Sequence, residues 1–234
     1  MKALQLIIDG NWAHFKKPET NNNPISHDFI TKTALIGLIG AVLGIDRDKM
    51  RPLFPQLSDD LLYGVQIINP VKKRSIAFTM HKAVKLSEQA PKHMEFLKYP
   101  KFLVSIALRD NRSEELFAGF AKYLKNSESK YTPVLGIHNC PANLELISEG
   151  EFSEKLVNND SFKVKCVISN KHIIKTEETS QFRIGFERIP TFQNDDFWNI
   201  PDRYVDVIYP SEGNEITVKG EYYRHNNGEL WWLI

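Results

Sequence analysis

The chain has little of what usually announces a chemistry. It holds two cysteines, Cys140 and Cys166, far apart and without CxxC spacing, so neither a metal site nor a disulfide framework is indicated. No signal-peptide pattern opens it, because Asp9 interrupts the first apolar stretch. The uncharged apolar run Thr33 to Ile45 is well short of the roughly 20 apolar residues that a membrane span needs. There is no Gly-rich phosphate loop of the Walker type and no dense His/Asp cluster. No metal or cofactor is therefore expected, and both thiols are read as reduced in a cytoplasmic protein without membrane attachment.

A net charge of one sign is also missing, since the whole chain carries +1. Its distribution is uneven, however. Residues 1–110 hold 16 Lys/Arg against 10 Asp/Glu, and residues 111–234 hold 14 against 19. The segment Val71 to Lys101 alone has eight basic residues against Glu88 and Glu95. Such asymmetry points the first half at a polyanion, although one basic cluster alone is more commonly a solvated surface.

Hydrophobic residues make up 42% of the 234, enough for a real core. Leu4, Leu6 and Ile8 alternate as in a buried strand. Gly10 to Ser26 is a long polar connector, a kind of loop that is usually functional. Asp28 or Thr31 caps a helix over Ala34 to Gly44, in which Gly37, Gly40, Ala41 and Gly44 fall on one face. That face suggests close approach by a backbone, either a packed strand or RNA. A short helix is expected over Asp48 to Leu53, ended by Pro52 and Pro55. Strands are expected at Leu62 to Asn69, Arg74 to Leu86 and Phe102 to Leu108, with Ala90 to Tyr99 as a basic connector. Leu116, Phe117, Phe120 and Leu124 give a second amphipathic helix, and Leu144 to Ile147 a closing strand. The order strand–helix–strand–strand–helix–strand is that of split βαβ, ferredoxin-like folds, which host many functions. From Ser161 onward, short alternating segments separated by Asn/Asp/Gly/Pro turns predict a small, mostly antiparallel sheet. The fold class is thus α+β: a ferredoxin-like unit over 1–150 and a β-rich unit over 151–234.

His14-Phe15-Lys16-Lys17-Pro18-Glu19-Thr20, followed by the helix Thr33-Ala34-Leu35-Ile36-Gly37-Leu38-Ile39-Gly40-Ala41-Val42-Leu43-Gly44, resembles the N-terminal signature of the fifth Cas protein family, of the RAMP superfamily. Glu95 to Phe102 and Tyr131-Thr132-Pro133-Val134-Leu135-Gly136 are similar to two further segments of that family. Where some members carry Pro-Pro-Arg before the helix, this chain has Ile30-Thr31-Lys32, which keeps the charge and loses the fork of arginine. The resemblance implies a subunit of a type I CRISPR Cascade complex, in its type I-B form. It also implies a ferredoxin-like N-terminal half with a thumb hairpin, here about residues 71–99. Its partners would be the 5′ handle of crRNA, the large Cascade subunit, the backbone (seventh-family) subunits and, through the complex, target DNA in antiviral defence.

A splayed single strand needs positive charge, small residues and flat groups for stacking. The RNA-binding candidates are Phe15, Lys16, Lys17, Thr20, Asn21, Lys32, Thr33, Lys72, Lys73, Arg74, His81 and Lys82. Trp12 and Phe78 are further stacking candidates, and Trp12 and Phe15 are equally candidates for the core. Metal-independent RNA cleavage, known from the type I-C branch, would need a positioned His, Lys or Tyr. His81 with Lys82, His14 or His138 could supply it, but no acid–base pair can be located by spacing, so the chain is read as non-catalytic. Two alternatives remain: a crRNA-processing endoribonuclease, and a protein-interaction module whose basic face binds an acidic protein.

Overall fold

Alternation along the first residues builds a strand covered on both faces. The computed structural model describes residues 1–81, 89–175, 182–196 and 200–234. In it, β1 (Lys2–Asp9) buries Leu4, Leu6 and Ile8 on one face and Ala3 and Gln5 on the other. A two-residue strand, β2 (Trp12–Ala13), is followed by α1 (Lys32–Leu43), α2 (Arg47–Asp60) and β3 (Leu61–Ile67). Then come β4 (Lys73–His81), β5 (Gln89–Lys98), β6 (Lys101–Leu108), a 3-10 turn at Asn111–Ser113, α3 (Glu114–Lys125) and β7 (Asn143–Glu151). Four of these strands form one antiparallel sheet in the order β3-β6-β1-β7. The hairpin β4–β5 belongs to a separate sheet, with β5 between β4 and β2.

The remainder is β8 (Leu156–Val164), β9 (Ile168–Ser169), β10 (Ile173–Ile174), β11 (Ile184–Phe192), β12 (Arg203–Pro210), β13 (Ile216–Arg224) and β14 (Leu230–Trp231), all paired antiparallel. These strands close the first unit rather than stand apart from it. Val167 N donates to Val65 O, and Tyr63 and Ile234 exchange both backbone bonds, so the outer edge of β3 is covered. On the inner side, Gln5 donates to Ser105 and to Glu229, which also accepts from the Trp231 indole. The protein is therefore α+β with mostly antiparallel sheets and few helices. Among the described residues, no helix is long and apolar enough to cross a membrane.

Three local expectations change. The second helix does not stop at Pro52; α2 runs on to Asp60 through both prolines. Each proline removes one intrahelical bond. Pro52 is exposed and Pro55 half-buried, while Met50, Phe54, Leu57 and Ser58 anchor the opposite face, so packing outweighs propensity. Ala90 to Tyr99 is not a connector but β5, whose alternation is hidden by charge at Lys92, Glu95 and Lys98. The strand expected from Arg74 to Leu86 pairs with β5 over Lys73–His81, and its last residues lie outside the described ones.

Thr31 is the cap of α1, accepting from Ala34 N, and Gly44 ends the helix at φ 73°. The glycines of α1 serve separate ends. A Cβ on Gly40 would lie 2.8 Å from Met50 Sδ, whereas one on Gly37 would meet nothing within 4 Å. Close packing thus explains Gly40, and Gly37 faces open space.

Candidate nucleic-acid interface

The polar connector of the sequence folds back on itself. Lys17 N donates to Ile25 O, His27 N to Phe15 O, and Lys16 bridges Ser26. Thr20 holds the bend, its hydroxyl donating to Lys17 O and accepting from Ile25 N. Behind this loop, His14 N donates to Leu135 O. Gly136, at φ 91°, sits so close that a Cβ would collide with the His14 carbonyl oxygen. Two of the segments noted in the sequence are therefore in backbone contact.

Together with α1 they enclose a cleft of about 470 Å³. Its walls include His14, Phe15, Lys16 and Pro18 from the loop, Thr31 at the cap of α1, Thr33, Ala34, Gly37 and Ala41 within it, and Val134, Gly136 and Ile137. Pro190, Gln193 and Pro201 close it from the C-terminal part. Thr33 Oγ1 lies 3.1 Å from Thr31 Oγ1 at the helix start, and α1 has no acidic residue in its first turn.

The basic candidates divide by their partners. Lys16 is exposed and donates locally, to Asn21 Oδ1 at 3.1 Å. Lys17 is 2.8 Å from the buried Glu187, which also meets His27 at 3.1 Å. Burial would raise the Glu187 carboxyl, but His27 and Lys17 outweigh it and hold it below the usual range. Lys32 is buried and donates to Ile234 O at 3.1 Å. Burial, helped by the charges of Arg109 and Arg203, lowers its pKa to about 7. Lys73 lies 2.6 Å from Asp28 Oδ1 and 3.0 Å from Glu95 Oε1, and donates to Ser26 O. Burial acts to lower it, but Asp28 and then Glu95 prevail and raise it. Lys32 is thus buried, Lys17 and Lys73 are held by carboxylates at partly exposed positions, and Lys16, Lys72 and Arg74 face solvent.

Phe15 is buried beneath the loop, 6.3 Å from the Phe102 ring, and Trp12 meets Phe96 edge-on; both take the core reading. The flat exposed groups are elsewhere. On β4, Arg74, Ile76 and Phe78 share one face, opposite Phe96, Met94 and Lys92 of β5. Ile76 and Phe78 are 36% and 40% exposed. The hairpin is buried at its base, by Phe96 and Leu97, and exposed along β4 from Lys72 to Thr79. Its β5 edge is held by the loop: Glu95 N donates to Pro24 O, His93 N to Asn23 Oδ1, and Lys92 to Asn22.

His14 is buried, its Nδ1 2.6 Å from Glu95 O, and burial lowers its pKa. His138 is exposed. His81 ends β4 in backbone terms, and Lys82 lies outside the described residues. Sequence reasoning missed Ile76, Met94 and Lys92, although alternation through Arg74, Ile76 and Phe78 could have found that face. It also missed Pro190, Gln193 and Pro201, for which no local signal exists.

A sequence model of the family described as CRISPR-associated protein (Cas_Cas5) matches residues 3–210. Among solved structures, a CRISPR protein from Archaeoglobus fulgidus is similar over 99% of this chain and 98% of its own, with TM-score 0.59 and 12% identity. A chain of a CRISPR RNA-guided surveillance complex is similar over 90% of both chains, with TM-score 0.53 and 12% identity. At such identity these structures speak for the fold alone. The comparison with curated proteins returns no match.

Proposed function

Because the chain belongs to the CRISPR-associated Cas5 family, we propose that it is the RNA-binding subunit of a type I CRISPR effector complex that holds the 5′ handle of crRNA without cleaving it. Membership of an effector complex is the family's province, and one similar fold comes from an RNA-guided surveillance complex. The sheet order β3-β6-β1-β7, with strands and helices in split βαβ sequence, supports reading the first 150 residues as ferredoxin-like. The observation that carries the proposal is the hairpin. It projects Lys72, Arg74, Ile76 and Phe78 into solvent, setting two cations beside an aromatic ring on which a base can stack. This is the thumb of our reading, and the loop Lys16 to Asn23 braces it from the side.

The non-catalytic reading is supported by His14, which is buried and has its Nδ1 taken by Glu95 O at 2.6 Å. On this reading the subunit is of the type I-B kind, in which a separate ribonuclease makes the guide. The large and backbone subunits are the partners of this reading, in the cytoplasm. Binding of a handle oligonucleotide should weaken steeply with salt, and a flat dependence would sink RNA binding. Incubation with repeat RNA in EDTA should leave it intact. A discrete product lost in His81→Ala would instead establish the endoribonuclease.

A further inference from the structure

Of the four buried histidines His14, His27, His172 and His225, three use a single ring nitrogen. Each of these three bonds through Nδ1 and leaves Nε2 without a partner among the described residues. His172, 7% exposed, engages both. Its Nδ1 lies 3.1 Å from Ser169 O and its Nε2 2.7 Å from Glu221 O. A carbonyl oxygen only accepts, while a neutral imidazole donates through one nitrogen and presents a lone pair at the other. With one ring proton, therefore, one of the two contacts sets a lone pair against a carbonyl oxygen. Turning the ring over places carbon atoms against both oxygens and satisfies neither. The imidazolium donates to both.

The surroundings fix the ring in this place. Ser169 O also accepts from the His172 backbone N–H at 3.0 Å, which closes the turn between β9 and β10. Gly220, at φ 148°, lies against the ring, where a Cβ would come within 2.6 Å of Cδ2. Trp232 meets the ring edge-on at 5.9 Å between centroids. The charged residues on these elements are Lys171 and Lys175 beside it in the chain, and Lys219, Glu221 and Arg224 on β13. Glu221 meets the ring through its backbone oxygen, and its carboxylate is taken by Lys155 at 3.2 Å. The lysines oppose a further cation, and two charge-assisted bonds in a buried site offset them.

We propose that His172 is held as the imidazolium and serves as a proton-dependent clasp between the two C-terminal sheets. One bond reaches Ser169 of the sheet β11-β12-β9, and the other reaches Glu221 of β13. When the ring loses one proton, the shorter bond to Glu221 O is kept and the ring's hold on Ser169 is lost. The turn leading into β10 is then free to loosen. This device is independent of the RNA-holding reading and makes pH a control on how the C-terminal strands are joined.

Nitrogen-15 NMR of the full chain at pH 7.5, where an imidazole in water is mostly neutral, reads the ring directly. Assignment through the backbone needs no variant. Both ring nitrogens of His172 should show the imidazolium pattern. Urea denaturation of the wild type and of His172→Gln at pH 6, 7.5 and 9 is the second measurement. A proton bound more firmly by the folded chain than by the unfolded one stabilises most at low pH. The ratio of folding constants, wild type over variant, should therefore fall about tenfold from pH 6 to pH 9, the order expected for one hydrogen bond to a charged group. A single protonated nitrogen at pH 7.5 would overturn the clasp. So would a ratio that stays constant or grows as the pH rises.

Discussion

The ammonium of Lys73 lies 2.6 Å from a carboxylate oxygen of Asp28, whose other oxygen accepts from the Tyr209 hydroxyl at 2.7 Å. One lysine of the hairpin is thereby tied, through the loop, to β12 of the C-terminal part. Glu95 adds a second carboxylate at 3.0 Å. Lys73→Ala removes one cation from between two carboxylates in a site whose lysine side chain is 28% exposed. It should destabilise the fold by about 2 kcal/mol, below the cost of breaking a fully buried pair. Urea denaturation measures this directly. An unchanged midpoint would show that the Asp28 contact contributes nothing to stability.

Lys72 and Arg74, on either side of it in sequence, are exposed and should act on RNA instead. Each single-strand phosphate contact contributes about 0.7 to the slope of log affinity against log salt. Lys72→Ala/Arg74→Ala should therefore lower the magnitude of that slope by roughly 1.4 and leave the denaturation curve in place. A slope equal to that of the wild type would move the RNA off this hairpin.

Three glycines should respond in three ways to added side chains. Gly136→Ala places a Cβ against the His14 carbonyl at φ 91°, so it should destabilise strongly and loosen the loop. Gly40→Leu pushes on Met50 and should cost about 1–3 kcal/mol. Gly37→Ala, with open space above it, should be neutral or stabilising by up to about 1 kcal/mol. Thermal melts of the three variants rank these outcomes. A destabilised Gly37→Ala would mean that the space above α1 is not open.

What was legible in the sequence was whatever repeats with a period. β1, β6, α1 and α3 stand where Leu4/Leu6/Ile8, the Phe102 segment, the glycine helix and Phe117/Phe120/Leu124 put them. β5 was hidden because its buried residues, Phe96 and Leu97, are adjacent and lie at one end among charged neighbours. α2 is longer than its prolines suggest, because propensity alone ends it near Pro52 while burial of Phe54 and Leu57 carries it on to Asp60. For the candidate site, sequence gave residue types but not their partners. Lys16 and Lys17 are neighbours in the chain, yet one meets solvent and the other Glu187, 170 residues away. No local pattern carries that distinction.

Lys32 supplies a test that depends on pH. Burial and the charges of Arg109 and Arg203 lower it to about 7, against 10.5 ordinarily. Between those values the unfolded chain binds a proton that the folded chain does not, so stability rises with pH over that window and is flat below it. The upper limit is about 1.4 kcal/mol per pH unit. Lys32→Met keeps much of the packing volume, loses the bond to Ile234 O, and cannot titrate. The stability of the wild type minus that of Lys32→Met should thus increase from pH 7 to pH 9, by roughly 2 kcal/mol, and change little from pH 7 down to pH 6. Urea denaturation of both proteins at pH 6, 7, 8 and 9 measures the difference. A constant difference across the series would mean that Lys32 titrates alike in both states, as an exposed lysine free to meet phosphate would.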